Sequence, residues 1–345
     1  MNINTSSPST PPVILELTRG GIIESQHRGY ICVTDASGEI LYSRGNPDFV
    51  TFLRSSAKPF QAAAVVTSGA ADAFKLSERE LALVAGSHGG EKIHTETVVA
   101  LLTRAGISIE ALQCGIHPPL DADAKADLDR HGEEYSLLHH NCSGKHTGML
   151  LTAKHLGFPL DNYLDPTHPL QTRITAVIAE CANIPVDQVV IGIDGCSAPV
   201  HGIPMRGIAT MFARLVEPYG ISKPLSVALK RVGAAMRAHP EMVAATKGRI
   251  CTDLMRVGGS SLITAKAGAE GVYGAGWWDD GRKTAVGVGL KVEDGTQRGR
   301  DPALMAILQQ FGALSNPLTE SLAVYASGPI KNWRGIEVGW ATGMV

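Results

Sequence analysis

Two β-rich stretches at opposite ends of the chain, separated by about two hundred residues of mainly helical pattern, constrain its fold more than any other feature. Near the start, VILELTRGG is followed by GYICVTD and EILYSRG on either side of Ala36-Ser37-Gly38, two strand-like runs around a turn, which predicts a hairpin. From about Ala57 to Met255 the pattern turns helical. Ser77 and Glu80 form a capping box that opens one helix, and longer helical segments lie near 92–105, 145–156, 168–182 and 222–238. One short strand, VVIGID, interrupts this middle. SSLITAK, GVYGAGWW and KTAVGVGLKVEDG then return to β-type composition with glycine punctuation, before a last helix from about Asp301 to Gly312 and further strands near the C-terminus. The expectation is an α+β fold: an antiparallel sheet built from about 13–56 and 257–345, packed with helices, with a largely helical insertion at about 57–256. Residues 1–12 read as a disordered tail and 13–345 as a single domain with soft internal boundaries.

A chain of 345 residues, 44% hydrophobic and 19% charged, can bury a sizeable core without staples. A formal charge of -2, with no dense Lys/Arg cluster interleaved with aromatics, leaves no electrostatic footprint for nucleic acid or an anionic membrane. A small polar substrate fits better. MNINTSSPSTPP lacks the basic and apolar regions of a signal peptide, and no apolar run reaches the roughly 18 residues of a membrane helix. The six cysteines are scattered through a large chain, so they are expected to be reduced and the protein cytoplasmic.

Three segments carry reactive side chains. In RSSAKPFQ, Ser55 and Lys58 stand three positions apart at an expected helix start, on one face and roughly 5–6 Å apart at Cβ. Pro59 suits a first turn and puts that start near Ser55 or Ser56, at the positive end of the helix dipole. A serine hydroxyl needs a base at neutral pH, and a lysine depressed by burial and nearby positive charge can serve, as in the S-x-x-K of penicillin-binding enzymes. In VAGSHGGEKIHTE, Ser87 and His88 precede a glycine pair whose backbone N–H groups could stabilise an oxyanion. A glycine-terminated helix with ordinary surface histidines explains the same residues. The densest segment is LLHHNCSGKHTGML, with His139, His140, Cys142, Ser143, Lys145 and His146 ahead of an apolar helix. Cys142 could bind zinc together with Cys196 of GIDGCSAP, act as a nucleophile with a histidine base, or be an inert buried thiol. Further on, KGRICTDLM holds Arg249, and Lys266 ends a strand before a glycine-rich turn.

Taken together and in this order, TRGGIIESQHRG, RSSAKPFQ, the Ser87-His88 pair, NCSGKHTGML, DGCSAP, AHPEMVA, GRICTDLM, AKAGAEGV and LKVEDG resemble the bacterial L-asparaginase II family of the Rhizobium etli inducible type. The resemblance spans nearly the whole chain. It implies a fold akin to serine β-lactamases and glutaminases, a homodimer, and hydrolysis of L-asparagine without an organic cofactor. It further implies two Ser-Lys pairs, Ser55-Lys58 and Ser87-Lys266, and zinc held by Cys142, Lys145 and Cys196. Substrate contacts would come from Arg54, Asp194, His88, Ser143 and Arg249. One departure is Gly89-Gly90 after Ser87-His88, where members of that type can have serines.

The reaction so implied is acyl transfer. A serine attacks the side-chain amide, a lysine takes its proton, ammonia leaves, and water cleaves the acyl-enzyme; Ser55 is the favoured nucleophile. Two other readings fit single motifs: a penicillin-binding or β-lactamase-like acylase, weakened by the missing export signal and S-D-N element, and a non-catalytic zinc-binding protein using Cys142 and Cys196.

Overall fold

The computed structural model describes residues 10–345. Of the expected tail, residues 1–9 lie outside the described residues, whereas Pro11 and Pro12 are packed: their carbonyls accept hydrogen bonds from the Arg28 side chain (3.0 Å) and the Gly29 N–H (3.0 Å).

Eleven strands are present among the described residues: β1 (Val13–Arg19), β2 (Ile22–Asp35), β3 (Ile40–Arg44), β4 (Val50–Phe52), β5 (Val190–Ile193), β6 (Pro199–Pro204), β7 (Thr264–Ala267), β8 (Val272–Asp279), β9 (Thr284–Val292), β10 (Gly328–Lys331) and β11 (Glu337–Gly343). The main antiparallel sheet runs β10-β11-β1-β2-β9-β8-β7, with β3 also paired to β2. Both ends of the chain therefore build one sheet, as the two β-rich stretches require, and the fold is α+β. The hairpin at Ala36–Gly38 is closed by Asp35, whose carboxylate accepts from three successive backbone N–H groups, with Gly38 at φ 95°. The predicted capping box is also present: Ser77 N–H donates to Glu80 (2.8 Å), and Glu80 N–H to the Ser77 hydroxyl (3.3 Å).

Two expectations are corrected. β4 does not join the main sheet; it pairs with β6, which pairs with β5, in a separate three-stranded sheet. The VVIGID strand is thus not an isolated interruption but one edge of that sheet. The glycines of β8 and β9 are not punctuation either. They lie mid-strand under the helix Met205–Val216, where a Cβ at Gly274 would collide with the Phe212 ring and one at Gly287 with the Ala209 carbonyl. Removing side chains from the strand lets helix and sheet backbones approach closely.

Candidate active site

The end of β4 delivers the chain to the site. Leu53 N–H donates to the His201 carbonyl on β6 (2.9 Å), and Arg54 then takes a left-handed conformation (φ 50°). Arg54–Ala57 form a 3₁₀ turn that runs into the helix Lys58–Thr67, with Pro59 in its first turn. The α-helix therefore begins at Lys58 rather than at Ser55 or Ser56. Because residues i and i+3 eclipse in 3₁₀ geometry, Ser55 and Lys58 still share a face. The positive helix end now lies at Lys58, where it opposes the ammonium form.

Lys58 is deeply buried, and its Nζ donates to the Ser87 hydroxyl (2.7 Å) and the Asn141 carbonyl (3.2 Å). Burial pushes its pKa down; the charge of Cys142 pulls it back up, and Lys145 adds to the depression. Ser87 reaches Lys58 because Gly86 lets the chain pass tightly along residues 242–243. A Cβ at Gly86 would lie 2.6 Å from the Met242 carbonyl, and the Ser87 N–H donates to the Val243 carbonyl (2.8 Å). The helix Ser143–His155 is seated by the same device. A Cβ at Gly144 would lie 2.7 Å from the Leu83 carbonyl, and one at Gly148 2.5 Å from Val84. Both glycines of the NCSGKHTGML motif thus serve close packing, which brings Asn141 and Cys142 up to Lys58.

His88 and Ser143 are fully buried and bonded to each other. Gly90 N–H donates to His88 Nδ1 (3.2 Å), so Nε2 carries the proton and donates to Ser143 Oγ (2.9 Å), which donates to the Leu138 carbonyl (3.0 Å). Burial, together with the charges of His94 and Lys58, holds the His88 pKa well below its usual value and keeps the ring neutral. In this turn the Ser87 N–H is taken by the Val243 carbonyl and the Gly90 N–H by His88, so these two groups are committed within the fold. The surface reading of His88 and His94 fails: both are completely buried and stack 5.0 Å apart.

A small cavity beside Lys58 is lined by Arg54, Ser55, Lys58, Lys145, Asp194 and His201, among others. Arg54 Nε donates to Asp194 (2.9 Å), fixing an ion pair at its rim. Lys266, opposite Gly274 on β7, is buried and donates to the Ala267 carbonyl (2.9 Å). The contact at Ser87 is made by Lys58, not by Lys266. Burial lowers the Lys266 pKa to about 7, the charges of Lys58 and Arg249 reinforcing this against the pull of Cys251. Arg249, although near Lys266, borders a different groove with Leu120, Asp121 and Lys247.

Cys142, Lys145 and Cys196 converge in the interior. Lys145 Nζ donates to Cys196 Sγ (2.9 Å). The neighbouring Cys196 thiol draws the Cys142 thiol well below its usual pKa; burial opposes this, and the charges of Lys58 and Lys145 add to the depression. Burial pushes Lys145 down, but the Cys142 and Cys196 charges outweigh it and hold the amine above its usual range. All six cysteines are free and buried. Among the described residues, no three His, Cys, Asp or Glu side chains are grouped to hold a metal ion, so a third donor to the sulfur pair would have to be Lys145. Two soft sulfurs and an amine, all buried and with Lys145 bonded to Cys196, fit zinc once the amine loses its proton.

Sequence reasoning overlooked His201, Gln61 and the Asn141 carbonyl. His201 could have been found from the inward phase of VHGIP in a strand; a main-chain carbonyl leaves no signal in a sequence.

The family model for L-asparaginase II matches residues 15–342. The chain therefore belongs to the L-asparaginase II family and is an amidohydrolase. Similar solved structures include a probable glutaminase from Bacillus subtilis, at 11% identity over 83% of this chain and 84% of that one (TM-score 0.39), and a Bacillus glutaminase at 11% over 83% and 91% (TM-score 0.40). A third is Mglu, at 16% over 86% and 67% (TM-score 0.36). No curated protein matches the sequence. Among the described residues, no helix is long and apolar enough to cross a membrane.

Proposed function

We propose that the protein is an L-asparaginase that converts L-asparagine to L-aspartate and ammonia through an acyl-enzyme on Ser55. The observation that carries this reading is Lys58: a buried amine pushed toward neutrality, sharing a turn with a serine at the cavity and bonded to a second serine at 2.7 Å. Ser55 is the better nucleophile because it lines the cavity, whereas Ser87 is buried against Lys58. Neutral Lys58 takes the Ser55 proton as Oγ bonds to the amide carbon. The resulting ammonium passes a proton to Ser87, which gives its own to the departing nitrogen, so ammonia leaves as the C–N bond breaks. Water then attacks the ester, neutral Lys266 takes its proton and returns it to Ser55 Oγ as the ester C–O bond breaks, and aspartate is released with Ser55 restored. Asp194 and Arg54 suit the α-ammonium and α-carboxylate of the amino acid. Ammonia release measured over asparagine and glutamine tests the reading; no release from either would sink it.

Cys142, Lys145 and Cys196 would hold zinc, which when bound would supply a fixed positive charge beside the cavity. Metal analysis of the purified protein should find zinc, and Cys142→Ser and Cys196→Ser should each lose it. Full zinc in both variants would place the metal elsewhere. Their Michaelis constants for asparagine should rise more than their maximal rates fall, as expected when positioning contacts are lost.

Lys266 gives a pH prediction with two parts. As a base it works neutral, so kcat/KM should rise as pH increases through about 7, and Lys266→Met should abolish that limb. In the unfolded chain the amine keeps its proton up to about 10.5, but in the fold only up to about 7. Between these values the unfolded state binds more protons, so stability rises with pH; below about 7 the penalty of the buried charge is full. The thermal advantage of Lys266→Met over the parent should therefore be largest at pH 6 and shrink by pH 9. A gap that widens with pH would show that Lys266 is not depressed.

A further inference from the structure

Among the described residues, five histidines keep a buried ring nitrogen without a hydrogen-bond partner, and one of them, His201, borders the cavity beside Lys58. It sits on β6, where its carbonyl accepts from the Leu53 N–H, two residues before Ser55. The ring is completely buried. Its Nε2 lies 3.1 Å from the Thr175 hydroxyl on the helix Pro169–Ala182, and that hydroxyl gives its single proton to the Gln171 carbonyl (3.0 Å). Nε2 therefore carries the ring proton and donates, which leaves Nδ1 a bare acceptor with no donor. Burial and the nearby Lys145 charge push the pKa to about 4, so the ring is neutral near pH 7. A buried acceptor without a donor is unfavourable, and here the donor can come from whatever enters the cavity.

The charges around the cavity define that donor. Arg54, Lys58 and Lys145 line it, and the Arg54–Asp194 pair lies at its rim. With the charged ends of an amino acid at that pair, its side chain reaches past Ser55 toward the wall formed by Gln61 and His201. Lysines attract a carboxylate at least as well as a carboxamide, so they do not separate the substrate from its product. A neutral lone pair does, because it accepts from a carboxamide N–H and repels a carboxylate oxygen. We infer that His201 Nδ1 accepts a hydrogen bond from the side-chain N–H of asparagine and so makes the site prefer the amide to the acid. A buried group built to pair with a substrate N–H rejects the analogue that lacks it, since the group is then left unpaired.

This contact rests on the asparaginase reading, and kinetics separate the two. In the unaltered protein, KM for asparagine should lie at least about tenfold below the inhibition constant of aspartate. His201→Gln places an amide near the position of Nε2, which keeps a donor for Thr175 and removes the acceptor. It should raise KM for asparagine about tenfold, leave inhibition by aspartate unchanged or tighter, and melt within several degrees of the parent. His201→Asn places an amide oxygen near the position of Nδ1 and gives up the Thr175 bond. It should keep the amide preference within about threefold of the parent. A merely structural histidine would reverse this order, with Asn the damaging change and Gln the mild one. That reversal, or an amide preference untouched by His201→Gln, overturns the contact. So does an unaltered protein that binds aspartate as tightly as asparagine, a comparison that needs no variant. Ammonia release from neither asparagine nor glutamine rejects the functional reading and the contact together. Release from asparagine with the preference intact in His201→Gln rejects the contact alone.

Discussion

Replacing Lys58 by Met is expected to lower asparagine turnover at least roughly a hundredfold, the scale set by losing a positioned base. Met matches the buried stem of the lysine in length and cannot take a proton. It leaves the Ser87 hydroxyl without its partner at 2.7 Å, a cost of about 1–3 kcal/mol for a buried polar group. Against this, the variant removes an amine whose charge the interior disfavours, so the fold should persist with a melting temperature within several degrees of the parent. Steady-state kinetics and a thermal melt read both quantities. Turnover within tenfold of the parent in a folded Lys58→Met protein would remove Lys58 from the chemistry, and the Ser-Lys mechanism with it.

Ser55→Ala is expected to have the larger effect, at least roughly a thousandfold, because no hydroxyl at the cavity can then form the ester. Ser87→Ala should cost less, since the acyl-enzyme can still form while proton delivery to the departing nitrogen is slowed. The two roles separate in an acid-quenched reaction analysed by peptide mass spectrometry. An adduct equal to asparagine less ammonia should sit on the peptide containing Ser55, vanish in Ser55→Ala, and persist in Ser87→Ala. An adduct on the Ser87 peptide would exchange the two roles and leave Lys58 between them, a result its position also accommodates.

Much of the site was legible because its residues come in short clusters. Ser55 and Lys58 lie three positions apart, so any helical or 3₁₀ turn puts them on one face. NCSGKHTGML and DGCSAP announced themselves by carrying more reactive side chains than packing needs. What these motifs could not reveal was which residues of different segments meet. Lys58 and Ser87 are 29 residues apart, and their contact depends on Gly86 slipping past the Met242 carbonyl. Lys145 and Cys196 are 51 apart, joined because Gly144 and Gly148 let one helix lie close to Leu83 and Val84. In each case the enabling residue is a glycine with no chemistry of its own.

The sequence by itself determined the α+β class, the hairpin at Ala36–Gly38, the capping box at Ser77 and the chemical inventory of the site. These follow from local periodicity, turn chemistry and residue type, which need only near neighbours. The tertiary structure alone decided that β4, β5 and β6 form a separate sheet, that the glycines of β8 and β9 seat a helix, and that Ser87 belongs to Lys58. It also decided the protonation of the site, because a lysine near neutrality at position 266 is a property of the burial and charges around it rather than of the residue. Pairing between distant segments is set by which backbones can approach and which polar groups must be satisfied inside, and neither condition exists until the chain has packed.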